Sequence, residues 1–150
     1  MSQNTEDRFD LIVIGAGPGG YVCALRAAQL GMRVACIDKR GAPGGTCLNV
    51  GCIPSKALLH ASEVFDETSH ADEMGIEIGK VRIDLAKMMA YKQRGIDGNT
   101  QGVTFLIKKN GVDEIIGDAR LTRPGEVEVA LPEGGTRTLG AEHIVLATGS

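Results

Sequence analysis

The chain has 150 residues, of which 43% are hydrophobic and 23% charged, and its formal net charge is −3 at pH 7. This length and composition are typical of one globular domain with its own core. The basic residues form no long block and no apolar run approaches the ~20 residues of a membrane span, so neither nucleic acid nor a membrane is an expected partner.

The N-terminal residues 1–8 are polar and include two acids. They predict a disordered tail rather than a signal or transit peptide, and we therefore expect a cytoplasmic protein. Structural disulfides are rare in that compartment. A cysteine pair in such a protein more often indicates redox catalysis or metal binding.

A strand and a glycine-rich turn follow the tail. Residues 9–14 are an apolar, β-branched run that predicts a buried parallel strand. Gly15, Gly17 and Gly20 come next with the spacing G-x-G-x-x-G. In such a turn the first glycine allows the sharp bend, the second lets the backbone approach a pyrophosphate, and the third lets the helix pack on the strand.

The segment after this turn completes a dinucleotide-binding unit. A helix is predicted over residues 19–30, and a second strand over residues 33–38 ends in Asp38. Phosphates bind at helix N-termini, and an acid at this position accepts hydrogen bonds from ribose hydroxyls. The unit predicts an adenine dinucleotide cofactor but does not separate FAD from NAD.

The next stretch contains two cysteines five positions apart, Cys47 and Cys52, with Lys56 four residues further on. Zinc binding, two inert buried thiols and a redox disulfide are the alternatives. A regular helix rises ~7.5 Å over five residues, whereas a disulfide needs Cα atoms about 4.4–6.8 Å apart. A disulfide here therefore requires a distorted helical turn, and a helix N-terminus with Lys56 nearby would lower a thiol pKa. Cys23 and Cys36 lie within predicted elements and are interpreted as core residues.

The second half of the chain predicts two helices and then mostly strands. The predicted helices cover residues 55–67 and 85–109, the second capped by Asp84, and the predicted strands cover residues 76–78, 113–121, 126–131, 136–139 and 143–147. The three runs from residue 113 to residue 139 predict an antiparallel meander that crosses over the parallel sheet. The small residues 148–150 suit a close backbone approach to a ligand.

The run from Gly44 to Leu59, GGTCLNVGCIPSKALL, resembles the active-site segment of dihydrolipoamide dehydrogenases. These are FAD-dependent pyridine nucleotide-disulfide oxidoreductases, and the resemblance covers residues 7–150. It implies an α/β, Rossmann-like FAD-binding domain over residues 9–150, with a parallel sheet, flanking helices and a three-stranded antiparallel meander. Glutathione and mercuric reductases are related alternatives, although they usually carry Val where Leu48 and Ile53 stand. A non-catalytic flavin- or nucleotide-binding module is a further alternative.

The resemblance also implies roles for individual residues. Cys47 and Cys52 would form the redox disulfide, with Cys47 as the interchange thiol and Cys52 as the charge-transfer thiol facing the flavin. Lys56 would lie near the flavin ring, and Asp38 stands where the family usually has Glu for the same ribose contact. The implied FAD-binding residues are Gly15, Gly17, Gly20, Asp38, Lys39, Arg40, Gly45, Thr46, Cys47, Lys56, Gly117, Ala119, Thr148, Gly149 and Ser150, and no metal site is implied.

The implied reaction is oxidation of dihydrolipoamide by NAD through the disulfide and FAD. The implied partners are the lipoyl domains of 2-oxo acid dehydrogenase complexes and a second copy of the chain in a homodimer. The family's general base is a His–Glu pair in another domain, and His60, His70 and His143 do not match it. We therefore expect an N-terminal fragment that lacks the NAD and dimerisation domains, does not turn over alone, and exposes apolar surface.

Overall fold

The computed structural model describes residues 7–149, in which helices lie between the strands up to residue 116 and only strands follow. In chain order the elements are β1 (Arg8–Ile14), α1 (Pro18–Gln29), β2 (Val34–Asp38), α2 (Gly45–Asn49), α3 (Cys52–Glu67), a 3₁₀ helix (Ala71–Met74), α4 (Leu85–Lys109), β3 (Asp113–Ile116), β4 (Asp118–Arg123), β5 (Glu126–Ala130) and β6 (Thr136–Leu146). The predicted α/β order is confirmed.

All six strands belong to one sheet, with the order β3-β2-β1-β6-β5-β4. β1 pairs in parallel with both β2 and β6, and β2 pairs in parallel with β3. β5 is antiparallel to both of its neighbours, β4 and the first half of β6. The parallel sheet with an antiparallel three-stranded meander is therefore the architecture that the sequence predicts.

The structure corrects the predicted strands in three places. The predicted strand over residues 113–121 is interrupted at Gly117, where a Cβ atom would lie 2.5 Å from Val129 Cγ1 and 2.7 Å from the Ala130 carbonyl oxygen. β3 therefore stays with the parallel strands and β4 starts the meander. The predicted strands over residues 136–139 and 143–147 are one strand, β6, and residues 76–78 form no strand.

The start of the sheet lies within the predicted tail. β1 begins at Arg8, and Asp7 Oδ1 accepts a hydrogen bond from Arg137 Nε at 2.8 Å. Residues 7 and 8 are therefore part of the folded sheet, which corrects the predicted boundary. The rest of the predicted tail, residues 1–6, lies outside the described residues.

The sheet has two buried faces, because successive strand residues point to opposite sides. Leu11 and Val13 face a cluster that includes α1 and Ile107 of α4. Ile12 and Ile14 face a second cluster, in which residues of the parallel strands pack against Val127, Val129 and Leu139 of the meander. The meander therefore covers one face of the parallel sheet and the helices cover the other.

α3 and the first half of α4 pack on each other away from this sheet. Asp84 caps α4 as predicted, since its Oδ1 accepts a hydrogen bond from Lys87 N at 3.0 Å. α4 buries apolar side chains only from its middle onward, at Ile96, Val103 and Ile107, whereas Leu85 at its start is 62% exposed. No helix among residues 7–149 is both long and apolar enough to cross a membrane.

Candidate cofactor and dithiol site

A cavity of about 640 Å³ opens at the C-terminal ends of β1 and β2. Its walls come from the glycine turn, the loop after β2, the start of α2, the β3–β4 junction and the segment after β6. The lining residues are Ile14, Gly15, Gly17, Pro18, Gly19, Ile37, Asp38, Lys39, Arg40, Gly45, Thr46, Cys47, Gly117, Asp118, Ala119, Ala147, Thr148 and Gly149.

The three glycines of the turn have different surroundings. A Cβ atom on Gly15 would lie 2.2 Å from the Ala147 carbonyl oxygen, and one on Gly20 would lie 1.7 Å from the Gly15 carbonyl oxygen. A Cβ atom on Gly17 would meet only Gly45 Cα, at 3.9 Å. Gly15 and Gly20 therefore allow close backbone packing, whereas the space beside Gly17 is open toward the cavity.

The beginning of α1 is suited to bind an anion. Gly17 is its N-cap residue and Pro18 its first residue, and the first intrahelical bond runs from Tyr21 N to the Gly17 carbonyl oxygen at 2.9 Å. The amides of Gly19 and Gly20 precede that bond and have no intrahelical acceptor. Together with the helix dipole, these donors favour a phosphate at the cavity wall.

Asp38 is held at the end of β2 by backbone donors. Its Oδ2 accepts a hydrogen bond from Ala16 N and its Oδ1 accepts one from Arg40 N, both at 2.8 Å. Arg40 Nη2 lies 3.5 Å from Thr46 Oγ1 at the start of α2. The predicted ribose acid and the two basic residues after it therefore line one side of the cavity.

The helix between the two cysteines is broken, as disulfide geometry requires. α2 ends at Asn49 and α3 begins at Cys52. Val50 has φ −128° and ψ −37°, and Gly51 has φ −109° and ψ −92°, so neither is in the α-helical region. The predicted distorted turn is confirmed, and each cysteine is carried by its own helix.

Cys47 and Cys52 are both free thiols, with Cys47 partly buried on the cavity wall and Cys52 exposed. The pKa of the Cys47 thiol is raised, mainly because its side chain hydrogen-bonds with that of Cys52, and also by desolvation. The Cys52 backbone and the charge of Lys56 act in the opposite direction. The pKa of Cys47 therefore shifts in the direction opposite to the lowering that the sequence predicted for a thiol of this pair, because the hydrogen bond to the neighbouring sulfur favours the protonated thiol.

Cys36 has the properties of a structural cysteine. It is 1% exposed in β2, and burial raises the pKa of its thiol to about 12. Cys23 packs against the same apolar cluster. Among residues 7–149, no group of three or more His, Cys, Asp or Glu side chains could hold a metal ion.

Of the predicted cofactor-contacting residues that the structure describes, all but Gly20 and Lys56 line this one cavity. Gly20 lies behind the glycine turn, and Lys56 lies on α3 beyond the cavity wall. Ser150 lies outside the described residues. The cavity is also lined by direct chain neighbours of the predicted residues that the sequence analysis did not assign to the cofactor, namely Ile14, Pro18, Gly19, Ile37 and Asp118.

Comparison with known proteins identifies relatives along nearly the whole chain. The chain is 52% identical over 146 residues to dihydrolipoyl dehydrogenase 3 of Pseudomonas aeruginosa, which covers 96% of this chain and 31% of that protein. It is 48% identical over 145 residues to mitochondrial dihydrolipoyl dehydrogenase of Pisum sativum, with 96% and 29% covered. It is 49% identical over 145 residues to leghemoglobin reductase of Vigna unguiculata, with 96% and 28% covered.

The chain thus spans about 30% of the length of these relatives. The profile of one family, described as pyridine nucleotide-disulphide oxidoreductase, matches residues 9–150. This match includes the glycine turn, the broken helix with its two cysteines and the described sheet from residue 9 onward. The chain belongs to the pyridine nucleotide-disulphide oxidoreductase family.

Proposed function

We propose that this chain is the flavin-binding and dithiol-bearing part of a dihydrolipoyl dehydrogenase, which oxidises dihydrolipoamide to lipoamide and reduces NAD. One observation carries the proposal: Cys47 lines the same cavity as the glycine turn and Asp38. A dithiol and a dinucleotide site are therefore continuous in space. The dihydrolipoyl dehydrogenases of P. aeruginosa and P. sativum, each about half identical to this chain, support the choice of substrate.

FAD fits the residues of the cavity. The open space beside Gly17 would accommodate its pyrophosphate, to which the amides of Gly19 and Gly20 would donate hydrogen bonds, and Asp38 would accept hydrogen bonds from its ribose hydroxyls. The other residues proposed to contact FAD are Gly15, Lys39, Arg40, Gly45, Thr46, Cys47, Lys56, Gly117, Ala119, Thr148, Gly149 and Ser150. When bound, FAD supplies a two-electron acceptor next to the dithiol.

When Cys47 and Cys52 are joined in a disulfide, this disulfide would exchange with the two thiols of the substrate. One substrate thiolate attacks Cys47 Sγ, the bond between the two cysteine sulfurs breaks, and Cys52 leaves as a thiolate. The second substrate thiol then attacks the substrate sulfur of this mixed disulfide and releases Cys47. Lys56 stabilises the thiolate by its charge. The substrate becomes a cyclic disulfide, and the protein gains the two electrons and the two protons.

Dithiol exchange can be measured with the chain itself. The purified chain is oxidised with diamide, freed of reagent and mixed with dihydrolipoamide, and the lipoamide formed is quantified. We expect about one equivalent of lipoamide per chain. C47S and C52S should form none, whereas C23S, which changes a cysteine away from the cavity, should match the wild type. Absence of lipoamide from the oxidised wild-type chain would refute the exchange step.

Flavin binding is tested separately by titration of FAD with its visible absorbance and fluorescence. Gly17→Ala is the informative variant because its Cβ fits the free chain but occupies the open space at the proposed pyrophosphate. We expect G17A to fold normally and to lose most of its affinity for FAD, with G98A on exposed α4 as the control. Equal FAD affinity of G17A and the wild type would contradict this assignment.

Other flavin-disulfide reductases remain the alternative. We prefer dihydrolipoamide because Leu48 and Ile53 flank the cysteines where glutathione and mercuric reductases usually have Val. Faster oxidation of the reduced chain by glutathione disulfide than by lipoamide would favour the alternative. FAD binding without any dithiol exchange would favour a non-catalytic flavin module.

The electron acceptor, the substrate carriers, the assembly and the compartment are proposed for a longer protein of the same length as the relatives. We propose NAD as the final electron acceptor with its site outside this chain, lipoyl domains as the substrate carriers, and a homodimer as the assembly. For the compartment we propose the cytoplasm, as in bacteria, while the relative from P. sativum is named mitochondrial. Cell fractionation tests the compartment, and steady-state assays of the longer protein with NAD and NADP test the acceptor.

A further inference from the structure

Two aspartates connect the β1 and β2 segments at opposite ends of these strands. Asp10, near the start of β1, accepts a hydrogen bond from Arg33 N through Oδ2 at 2.6 Å. Asp38, at the end of β2, accepts one from Ala16 N through Oδ2 at 2.8 Å. The two bonds have the same chemistry, a carboxylate accepting from a backbone amide. Only the bond of Asp38 lies at the cavity.

Asp38 does more than join two strands. Its second oxygen, Oδ1, accepts a hydrogen bond from Arg40 N at 2.8 Å, so one side chain holds both the glycine turn and the loop after β2. Ala16 is 3% exposed, and its amide therefore has no alternative acceptor in water. Each carboxylate oxygen can accept a second hydrogen bond, so these two bonds leave capacity for a ribose contact.

The connection continues from Ala16 to the helix that carries Cys47. The Ala16 carbonyl oxygen accepts a hydrogen bond from Gly44 N at 2.7 Å, and Gly44 is the N-cap residue of α2. Gly45 packs against the turn so closely that a Cβ atom on it would lie 2.7 Å from Gly17 Cα. A shift of the turn therefore moves the first residues of α2.

We propose that Asp38 is a positioning residue for the redox dithiol, which fixes the location of Cys47 through Ala16 and Gly44. This inference rests on the proposed function of the cavity, because it assigns a role within the same site. It is separate from the ribose contact. A Glu at this position is one methylene longer, so with the present backbone we expect its oxygens not to accept from both Ala16 N and Arg40 N.

The test uses the reduced, cofactor-free chain and the variants D38N, D38E and D10N. Amide exchange followed by NMR should be about tenfold faster at Ala16 in D38N, because a charge-assisted hydrogen bond is lost there. Alkylation of Cys47 by iodoacetamide, followed by mass spectrometry, should be about threefold faster or more in D38N and D38E. The reason is that a displaced α2 separates Cys47 from Cys52 and frees its thiol.

D10N is the matched control, because it removes a bond of the same kind away from the cavity. We expect faster exchange at Arg33 in D10N with the wild-type rate of Cys47 alkylation. Equal alkylation rates in D38N and D10N would overturn the proposal. A wild-type rate of Cys47 alkylation in D38E would also overturn the proposal, because a negative charge at residue 38 would then be sufficient to position Cys47. Failure of both Asp38 variants to fold while D10N folds would also overturn it, because Asp38 would then be a general stability residue. None of these measurements requires FAD, so their outcome does not depend on whether the chain binds flavin.

Discussion

The sheet with its glycine turn and the paired helices α3 and α4 contain similar apolar residues, but they bury them to different extents. Ile12 and Val13 in β1 are fully buried, whereas Leu59 and Phe65 on α3 and Leu85 on α4 are exposed. The sheet is covered by helices on one face and by the meander on the other. The helical pair has one covered face only. Apolar content therefore does not predict which parts of this chain carry its stability.

The largest difference is expected from the same substitution at two helical glycines. Gly20→Ala places a Cβ atom 1.7 Å from the Gly15 carbonyl oxygen, so we expect a loss of about 3 kcal/mol or more. Gly98→Ala on α4 meets nothing within 4 Å and should stabilise by about 0.5–1 kcal/mol. Urea unfolding followed by circular dichroism measures both. Similar effects of the two substitutions would contradict the comparison.

Two apolar residues of α4 allow buried and exposed positions to be compared within one helix. Ile107 is 0% exposed and Leu85 is 62% exposed. Ile107→Ala should cost about 3 kcal/mol, because it leaves a cavity beneath the sheet. Leu85→Ala should change stability by less than about 0.5 kcal/mol. If Leu85→Ala costs as much as Ile107→Ala, the exposed face must be covered in solution, and the loss should then depend on protein concentration.

Alkaline pH should weaken the sheet through Cys36. Burial raises the pKa of this thiol from 9.0 to about 12, so above pH 9 the unfolded chain releases a proton that the folded chain keeps. Stability is therefore full below pH 9 and falls as pH rises toward the folded pKa. Between pH 8 and pH 10.5 the wild type should lose about 2 kcal/mol more than C36A. Identical pH profiles of the two proteins in urea unfolding would contradict the assignment.

The smallest effect is expected at the exposed start of α4. Asp84→Ala removes the acceptor for Lys87 N and should cost about 1 kcal/mol. Asp84→Asn keeps an acceptor and should cost less. Lys87→Ala removes only the exposed ion pair with Asp84 and should change stability by less than about 0.5 kcal/mol. A larger loss in K87A than in D84A, measured by thermal unfolding, would show that the ion pair outweighs the cap.

Much of the fold could be predicted because local sequence and tertiary contacts agree. The apolar run before Gly15, the cap at Asp84 and the alternating residues of β5 each identify their element. The interruption at Gly117 could not be predicted, because its cause is Val129 on a neighbouring strand. Residues 76–78 alternate like a strand, but no strand of the described chain pairs with them.

The site was predicted mainly from the spacing of its motifs. The glycine turn, Asp38 and Cys47 line one cavity, and disulfide geometry correctly predicted the break before Cys52. The raised pKa of Cys47 could not be predicted, because it depends on a hydrogen bond between two side chains. The bond from Ala16 N to Asp38 likewise could not be predicted, because it joins residues that are 22 positions apart in the chain.

β6 has a consequence for how the domain unfolds. Residues Thr136–Gly140 pair with the meander, and the strand continues without a break to Leu146 beside β1. One continuous strand thus belongs to both halves of the sheet, and the two halves share one buried cluster that includes Ile12 and Val127, so separating them would expose apolar residues of each. We therefore expect the meander and the cofactor-binding strands to unfold in a single cooperative transition, while α3 and the first half of α4 are free to open separately at lower free energy.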